Sequence, residues 1–372
     1  MFDNFIFILE LKTKNQKLKT LFYKGCNMKI ALLGLPQSGK RTLFSLLTGR
    51  EVSEHRGEGE SIEGVAPIRD PRVDFLAELM LPNKVTYAEN KIVLCPDIIE
   101  GTGKREWLDA ARRCDLLCLV VRAFASERVY HPAGSIDAGR DRRTLNTELL
   151  LADLELIEKR LERIAKEKKS GRTPAQLKEE QTLAKCREAV EQEINLSSLE
   201  FDQDELESVR SLNLITLMPL LWVYNVDEDK VAEGQGGTDE NFTVSALIEK
   251  EIMGMDDPTE RREYMEAIGL TSSGLDRLNA AAYDALGLMS FYTMGKDEVR
   301  AWTIRKGTAA PAAGGKIHSD IERGFIRVEV IKYNDLTVAG SEAAVKAQGK
   351  ALLKGRDYII DDGDICNFRF NV

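Results

Sequence analysis

The chain has 372 residues, 43% hydrophobic and 30% charged, with a formal net charge of −9; this is the make-up of a soluble globular protein of two or three domains. The acidic balance excludes a surface coated in positive charge for nucleic acid, while leaving room for a local basic face. Six cysteines without a Cys-x-x-Cys pair and only three histidines exclude a clustered zinc site and read as reduced thiols of a cytoplasmic protein, and no apolar run approaches the roughly 18 residues of a membrane span.

The first 27 residues stand apart. Phe5–Leu11 is apolar but too short for an anchor, no small-residue cleavage site follows it, and the chain then turns basic through Lys12, Lys14, Lys17, Lys19 and Lys24. Met28 opens a clean strand, so translation is expected to begin there, with residues 1–27 a non-native leader. A short functional extension is the alternative.

Met28–Leu33 reads as a central parallel strand buried on both faces. It runs into 33-LGLPQSGKRTLF-44, where Gly34, Gln37, Ser38, Gly39, Lys40, Arg41 and Thr42 make a phosphate-binding loop. Glycines let the backbone close around phosphates, N–H groups and a helix N-terminus face the anion, and Lys40 reaches the β and γ groups. A Gly-x4-Gly-Lys string arises by chance about once in ten chains of this length; a buried strand before it and a helix (Thr42–Gly49) after it make the loop reading the stronger. Serine or threonine normally follows the lysine, because that hydroxyl ligates the nucleotide's magnesium. Arg41 stands there instead, a guanidinium that cannot ligate Mg²⁺ and competes for the same oxygens. Thr42 follows one residue late.

Further buried strands are expected at Lys91–Leu94, ending in Cys95-Pro96-Asp97, at Leu116–Val121 and at Leu220–Tyr224, giving an α/β parallel sheet covered on both faces. Between the third and fourth strands, Leu150, Leu154, Ile157, Leu161 and Ile164 recur at the spacing of a helix pairing. Ser170–Pro174 breaks the run, with Thr173 as N-cap and Pro174 at the first helical position, and a second helix runs to about Ile194. This predicts an antiparallel hairpin inserted into the α/β domain, with charges forming a solvated face or a partner-binding arm. The Pro219–Tyr224 strand ends in Asn225-Val-Asp-Glu228, in place of the Asn-Lys-x-Asp that reads guanine. From about Phe291 the texture changes to short strands, at Ala301–Lys306, Phe325–Ile331, Tyr358–Ile360 and Ile365–Phe370, with one helix around Glu342–Gln348. This module is the less acidic part of the chain. The expected domains are therefore 28–145 with 215–288 (nucleotide-binding), 146–214 (hairpin) and 289–372 (ubiquitin-like β-grasp).

At this point the residues resemble the YchF or Obg-like ATPase family, phosphate-loop NTPases of the translation-factor class. Residues 273–330 and 357–372 are similar to that family throughout, and 317-IHSDIERGF-325 looks like the signature of TGS modules, β-grasp domains of RNA- and ribosome-associated proteins. The resemblance implies ATP or GTP as ligand, base contacts at Asn225, Glu228, Ser245 and Ala246, and magnesium contacts at Asp97 and Ser61. It also implies a translation-related role, with the ribosome or RNA met through the TGS-like domain and the hairpin. The sequence departs from the family at three places. Besides Arg41, the first switch around 57–72 is shortened, leaving Ser61 as the nearest hydroxyl. The second switch, 97-DIIEGTGKREWLDAARRCD-115, has Glu100 where a glycine falls and lacks several residues. Two readings follow: an ATP-preferring NTPase with slow or impaired hydrolysis, or a pseudo-NTPase acting as a protein- or RNA-binding module. A nucleotide kinase is disfavoured because no lid or acceptor site can be read, and His318 is expected to hold the β-grasp fold.

Overall fold

The apolar run that follows Met28 forms β1 (Lys29–Gly34), buried from Ile30 onward, and the turn after it leads into α1 (Lys40–Thr48). Gly49 stops this helix in the left-handed conformation, at φ 66°, a backbone that costs glycine nothing. The structure, a computed structural model, describes residues 29–52, 59–101, 103–126, 129–167, 173–231 and 241–371. The expected leader, the expected start at Met28 and part of the first switch lie outside the described residues.

Next come β2 (Ile62–Ile68), α2 (Pro71–Met80), β3 (Lys84–Thr86) and β4 (Ala88–Leu94). After α3 (Leu108–Ala111) and β5 (Leu116–Ala123), the long α4 (Ala138–Glu167) pairs with α5 (Pro174–Glu191), and α6 (Gln203–Val209) follows. The chain returns through β6 (Leu220–Val226), β7 (Asn241–Val244), α7 (Ala246–Gly254), α8 (Pro258–Ala267) and α9 (Gly274–Ala285). Apart from β3, these strands make one sheet in the order β2-β4-β1-β5-β6-β7. The β1–β4, β1–β5, β5–β6 and β6–β7 pairings are parallel, as the apolar runs separated by helices require.

The hairpin forms as its spacing demands. Leu150, Ile157 and Ile164 bury against Leu183, Cys186, Ala189 and Val190, with Leu154 and Leu161 packed alongside. Thr173 and Gln176 close α5 with a reciprocal capping box. The hairpin begins earlier than expected, at Ala138, because apolar Leu145 and Leu149 belong to the sheet-side core and carry the helix toward β5. Asp153, fully buried, accepts from Ile215 N, Thr216 N and Thr216 Oγ1 at 2.8, 2.8 and 2.7 Å, which fixes the chain where it re-enters the sheet. Burial still raises its carboxyl above the usual range.

The remaining residues build β8 (Leu288–Thr293), β9 (Glu298–Arg305), α10 (Ala310–Ile317), α11 (Ser319–Arg323) and β10 (Phe325–Lys332). They end with α12 (Tyr333–Ala339), α13 (Glu342–Ala347), β11 (Leu352–Lys354) and β12 (Asp364–Phe370). Their sheet runs β11-β10-β12-β8-β9-β3, with antiparallel β8–β9 and β10–β12 pairs flanking a parallel β12–β8 pair. Helix α10 packs on it through Ala310 and Ala313 against Phe291, Val328, Val330 and Cys366. This is the expected β-grasp layout. Tyr358–Ile360 is no strand; Ile359 makes a single bridge to Ala309, because Gly355 and Asp361–Gly363 turn the chain on either side.

The chain divides into two compact units, one from the N-terminal side to Val65 with Lys91–Leu278, the other Ala66–Asn90 with Asn279–Val372. The expected boundary placed 66–90 with the nucleotide-binding strands. Here β3 pairs in parallel with β9, Lys84 opposite Glu298, and so joins the second unit.

Candidate functional site

Between β1 and α1 the backbone alternates handedness, with left-handed Gln37 at φ 62° and Gly39 at φ 89°. Such alternation turns successive N–H groups to one side, an anion-binding concavity. Helix α1 carries no acidic residue in its first turn and places Lys40 and Arg41 there, against the helix dipole. That arrangement is unfavourable alone and becomes favourable when an anion sits at the loop. Ser38 is buried beneath it, its Oγ without a hydrogen-bond partner.

Lys40 does not project into solvent; it is 3% exposed. Its Nζ lies 2.8 Å from Asp97 Oδ1, 2.9 Å from Cys95 O and 3.4 Å from Gly34 O. Burial depresses the ammonium below its ordinary range, and the Asp97 carboxylate offsets part of that cost. Gly34 O also accepts from Ile98 N, at 3.1 Å, and Cys95 N bonds to Leu32 O. The end of β4 is thereby laced to the end of β1, placing Asp97 beside the loop.

A second tie comes from β6. Asn225 Nδ2 donates to Ser38 O at 3.2 Å, while Oδ1 accepts from Ala246 N at 3.0 Å. One buried amide thus joins the phosphate loop, the end of β6 and the start of α7. The loop glycine is shaped by this contact: a Cβ on Gly39 would stand 2.3 Å from Asn225 Nδ2, so no side chain fits. Ser245 is the buried N-cap of α7. The structure therefore brings Asn225, Ser245 and Ala246 to the loop, whereas Glu228 is exposed in the turn Glu228–Lys230.

Sequence reasoning missed Asp227, which accepts from Ala125 N at 2.8 Å and holds the loop after β5. It also missed Arg122, whose guanidinium donates to the carbonyls of Phe124, Val129 and Tyr130 and lies over the Phe124 ring. A buried arginine at a strand end was the available signal. The two hydroxyls nearest the expected magnesium position, Thr42 of the loop and Ser61 of the first switch, are exposed, and no bond joins either to Asp97. In the second switch, Gly101 N and Arg105 Nε both reach Glu148 on α4, each at 3.4 Å, and Arg105 also pairs with Glu155 at 2.7 Å. His318 caps α11 by accepting from Asp320 N. Among the described residues no group of three or more His, Cys, Asp or Glu could hold a metal ion, and no described helix is long and apolar enough to cross a membrane.

Residues 288–371 match the family model YchF-GTPase_C, described as a protein of unknown function (DUF933). The ribosome-binding ATPase YchF of Bacillus subtilis (strain 168) is 38% identical over 92% of this chain and 98% of its own length. The chain belongs to the YchF family. Another YchF relative, the ribosome-binding ATPase of Escherichia coli O157:H7, is 36% identical over 92% of this chain and 99% of its own. The solved structure of the Schizosaccharomyces pombe YchF GTPase matches with a TM-score of 0.79 at 28% identity, covering 93% of this chain and 99% of that one.

Proposed function

We propose that this YchF-family chain binds a nucleoside triphosphate in the Gly34–Thr42 loop, ATP in preference to GTP, and hydrolyses it slowly in a regulatory role at the ribosome. The observation that carries the reading is the loop itself: two left-handed residues and a helix N-terminus with two cations, tied by Asn225 to the turn at Ser245–Ala246. The relatives named as ribosome-binding ATPases and as a GTPase support the hydrolase class and the ribosome as partner. The helical hairpin and the TGS-like domain are the surfaces proposed to meet ribosome or RNA. The five described cysteines are all buried free thiols, in keeping with a cytoplasmic setting.

In this reading the loop N–H groups hold the phosphate oxygens, and Lys40 neutralises the β and γ groups. Asn225 keeps the base-side turn against the loop, and Glu228 at the rim disfavours guanine. Magnesium is a different matter. Arg41 replaces the ligating hydroxyl, Ser61 is exposed, and Asp97 is engaged by Lys40; these residues do not fit a protein-held Mg²⁺. With phosphoryl transfer dependent on positioning and charge, hydrolysis is expected to be slow.

The inward pairing of Lys40 favours a second reading, a pseudo-NTPase whose hairpin and TGS-like domain act as the binding surfaces. Calorimetry with ATP and GTP, with magnesium and with EDTA, decides between the two. Saturable ATP binding abolished by Lys40→Ala, followed by slow phosphate release, supports the NTPase. Binding without any turnover, with or without ribosomes, supports the pseudo-NTPase, and absence of binding removes the nucleotide altogether.

A further inference from the structure

An ammonium has three N–H donors, and all three of Lys40 are directed at internal acceptors: Asp97 Oδ1, Cys95 O and Gly34 O. None is left for a phosphate. Two of the acceptors are backbone carbonyls at strand ends, fixed by the β1–β4 register and by the Ile98 N to Gly34 O bond. The third is a side chain, 27% exposed, whose carboxylate can rotate toward solvent while its backbone stays in place. Asp97 is also the only charged acceptor of the three. It is therefore the partner whose departure frees a donor at the least structural cost, and the one a polyphosphate displaces by competing for the same cation.

We infer that Asp97 is an internal competitor for the phosphate: it holds Lys40 in a closed position that nucleotide must open, and so sets affinity by opposing it. This rests on the nucleotide-binding reading above and gives Asp97 a role opposite in sign to a magnesium contact. A magnesium contact strengthens nucleotide binding when the metal is present. A competitor weakens binding whether or not metal is present.

The test is ATP binding by calorimetry to the wild-type chain, Asp97→Asn and Asp97→Ala, each in EDTA and in magnesium. In parallel, the reactivity of the Lys40 amine toward an acylating reagent is read by peptide mass analysis without nucleotide. The expected result is about tenfold tighter ATP binding in EDTA for both variants, the order set by removing one charge-assisted hydrogen bond, with Lys40 acylated several-fold faster. Wild-type binding that is unchanged or weakened by the substitutions in EDTA overturns the inference and leaves the nucleotide reading standing. Weakening confined to magnesium assigns Asp97 to the metal instead and also overturns it. If neither wild type nor variant binds ATP, the nucleotide reading fails and the inference falls with it. Faster acylation without tighter binding shows a latch that does not oppose phosphate, and counts against the proposal.

Discussion

Two cations, one in each unit, are held by carboxylates, and the contrast between them separates a working contact from a structural one. Lys40 meets one carboxylate and two carbonyls, and burial outweighs these partners, leaving its ammonium depressed. Arg72 meets two carboxylates. Its Nε and Nη2 bind Asp70 at 3.0 Å each, its Nη1 binds Asp362 at 2.6 Å, and the guanidinium lies over the Tyr292 ring at 5.3 Å. Burial works against the charge here too, yet Asp70 and Asp362 outweigh it and raise the guanidinium above its usual range. Tyr292 closes the cluster by donating to Asp70 at 2.5 Å. A charge whose partners exceed its burial cost stays where it is; one whose partners fall short is ready to exchange them.

The sharpest way to break this comparison is to replace each cation by methionine. Arg72→Met strands two carboxylates, one of them mostly buried, and is expected to cost about 2–3 kcal/mol, the buried-pair penalty discounted for partial exposure. Hydrogen exchange of the β8 and β9 amides reads it within the second unit. Lys40→Met should change stability by less than about 1 kcal/mol, because the charge it removes is already a net burden at neutral pH. Equal losses would erase the distinction.

Asn225→Ala comes next. It leaves Ser38 O and Ala246 N without their partner, and about 1–2 kcal/mol is expected, accompanied by loss of nucleotide affinity greater than the stability change accounts for. Exchange protection at α7 and calorimetry measure the two parts.

Acid sharpens the same contrast. Burial pushes the Asp70 carboxyl up, but Arg72 and Tyr292 together hold it below its unfolded value of 3.8. Its stabilisation is therefore complete above pH 3.8 and disappears as pH falls through the lower folded value. An acid titration followed in the second unit should show a limb there that Asp70→Asn flattens. The smallest effect on stability belongs to Arg41→Ser, within about 0.5 kcal/mol, though it should make ATP binding depend on magnesium. Unchanged magnesium dependence would sink the account of that position.

The sequence carried the central strands and the hairpin plainly, since Leu116–Val121 is apolar without interruption and the seam from Leu150 to Ile164 has helical spacing. It hid β2, whose exposure alternates along its whole length, and the four-residue β7, because neither presents an apolar run. The loop residues were legible as a motif, whereas Ser245 and Ala246 came only from what the family resemblance implies. What Lys40 touches was not legible, because Asp97 lies 57 residues away and only the β1–β4 register brings it near. Asp70 and Arg72 fall within the 57–72 switch segment, while their partners Tyr292 and Asp362 were out of reach of any local pattern.

The pairing of β3 with β9 has a consequence for how the chain is made. Lys84 leaves the site of synthesis long before Glu298 exists, and at ordinary elongation rates roughly two hundred residues of delay is about 10–40 s. Throughout that interval α2 and β3 are covalently committed between two strands of the first sheet without the strand that completes them. The second unit must therefore assemble late and by long-range closure, which is slow. Its N-terminal piece is a waiting segment, open to chaperones and proteases until the last quarter of the polypeptide arrives.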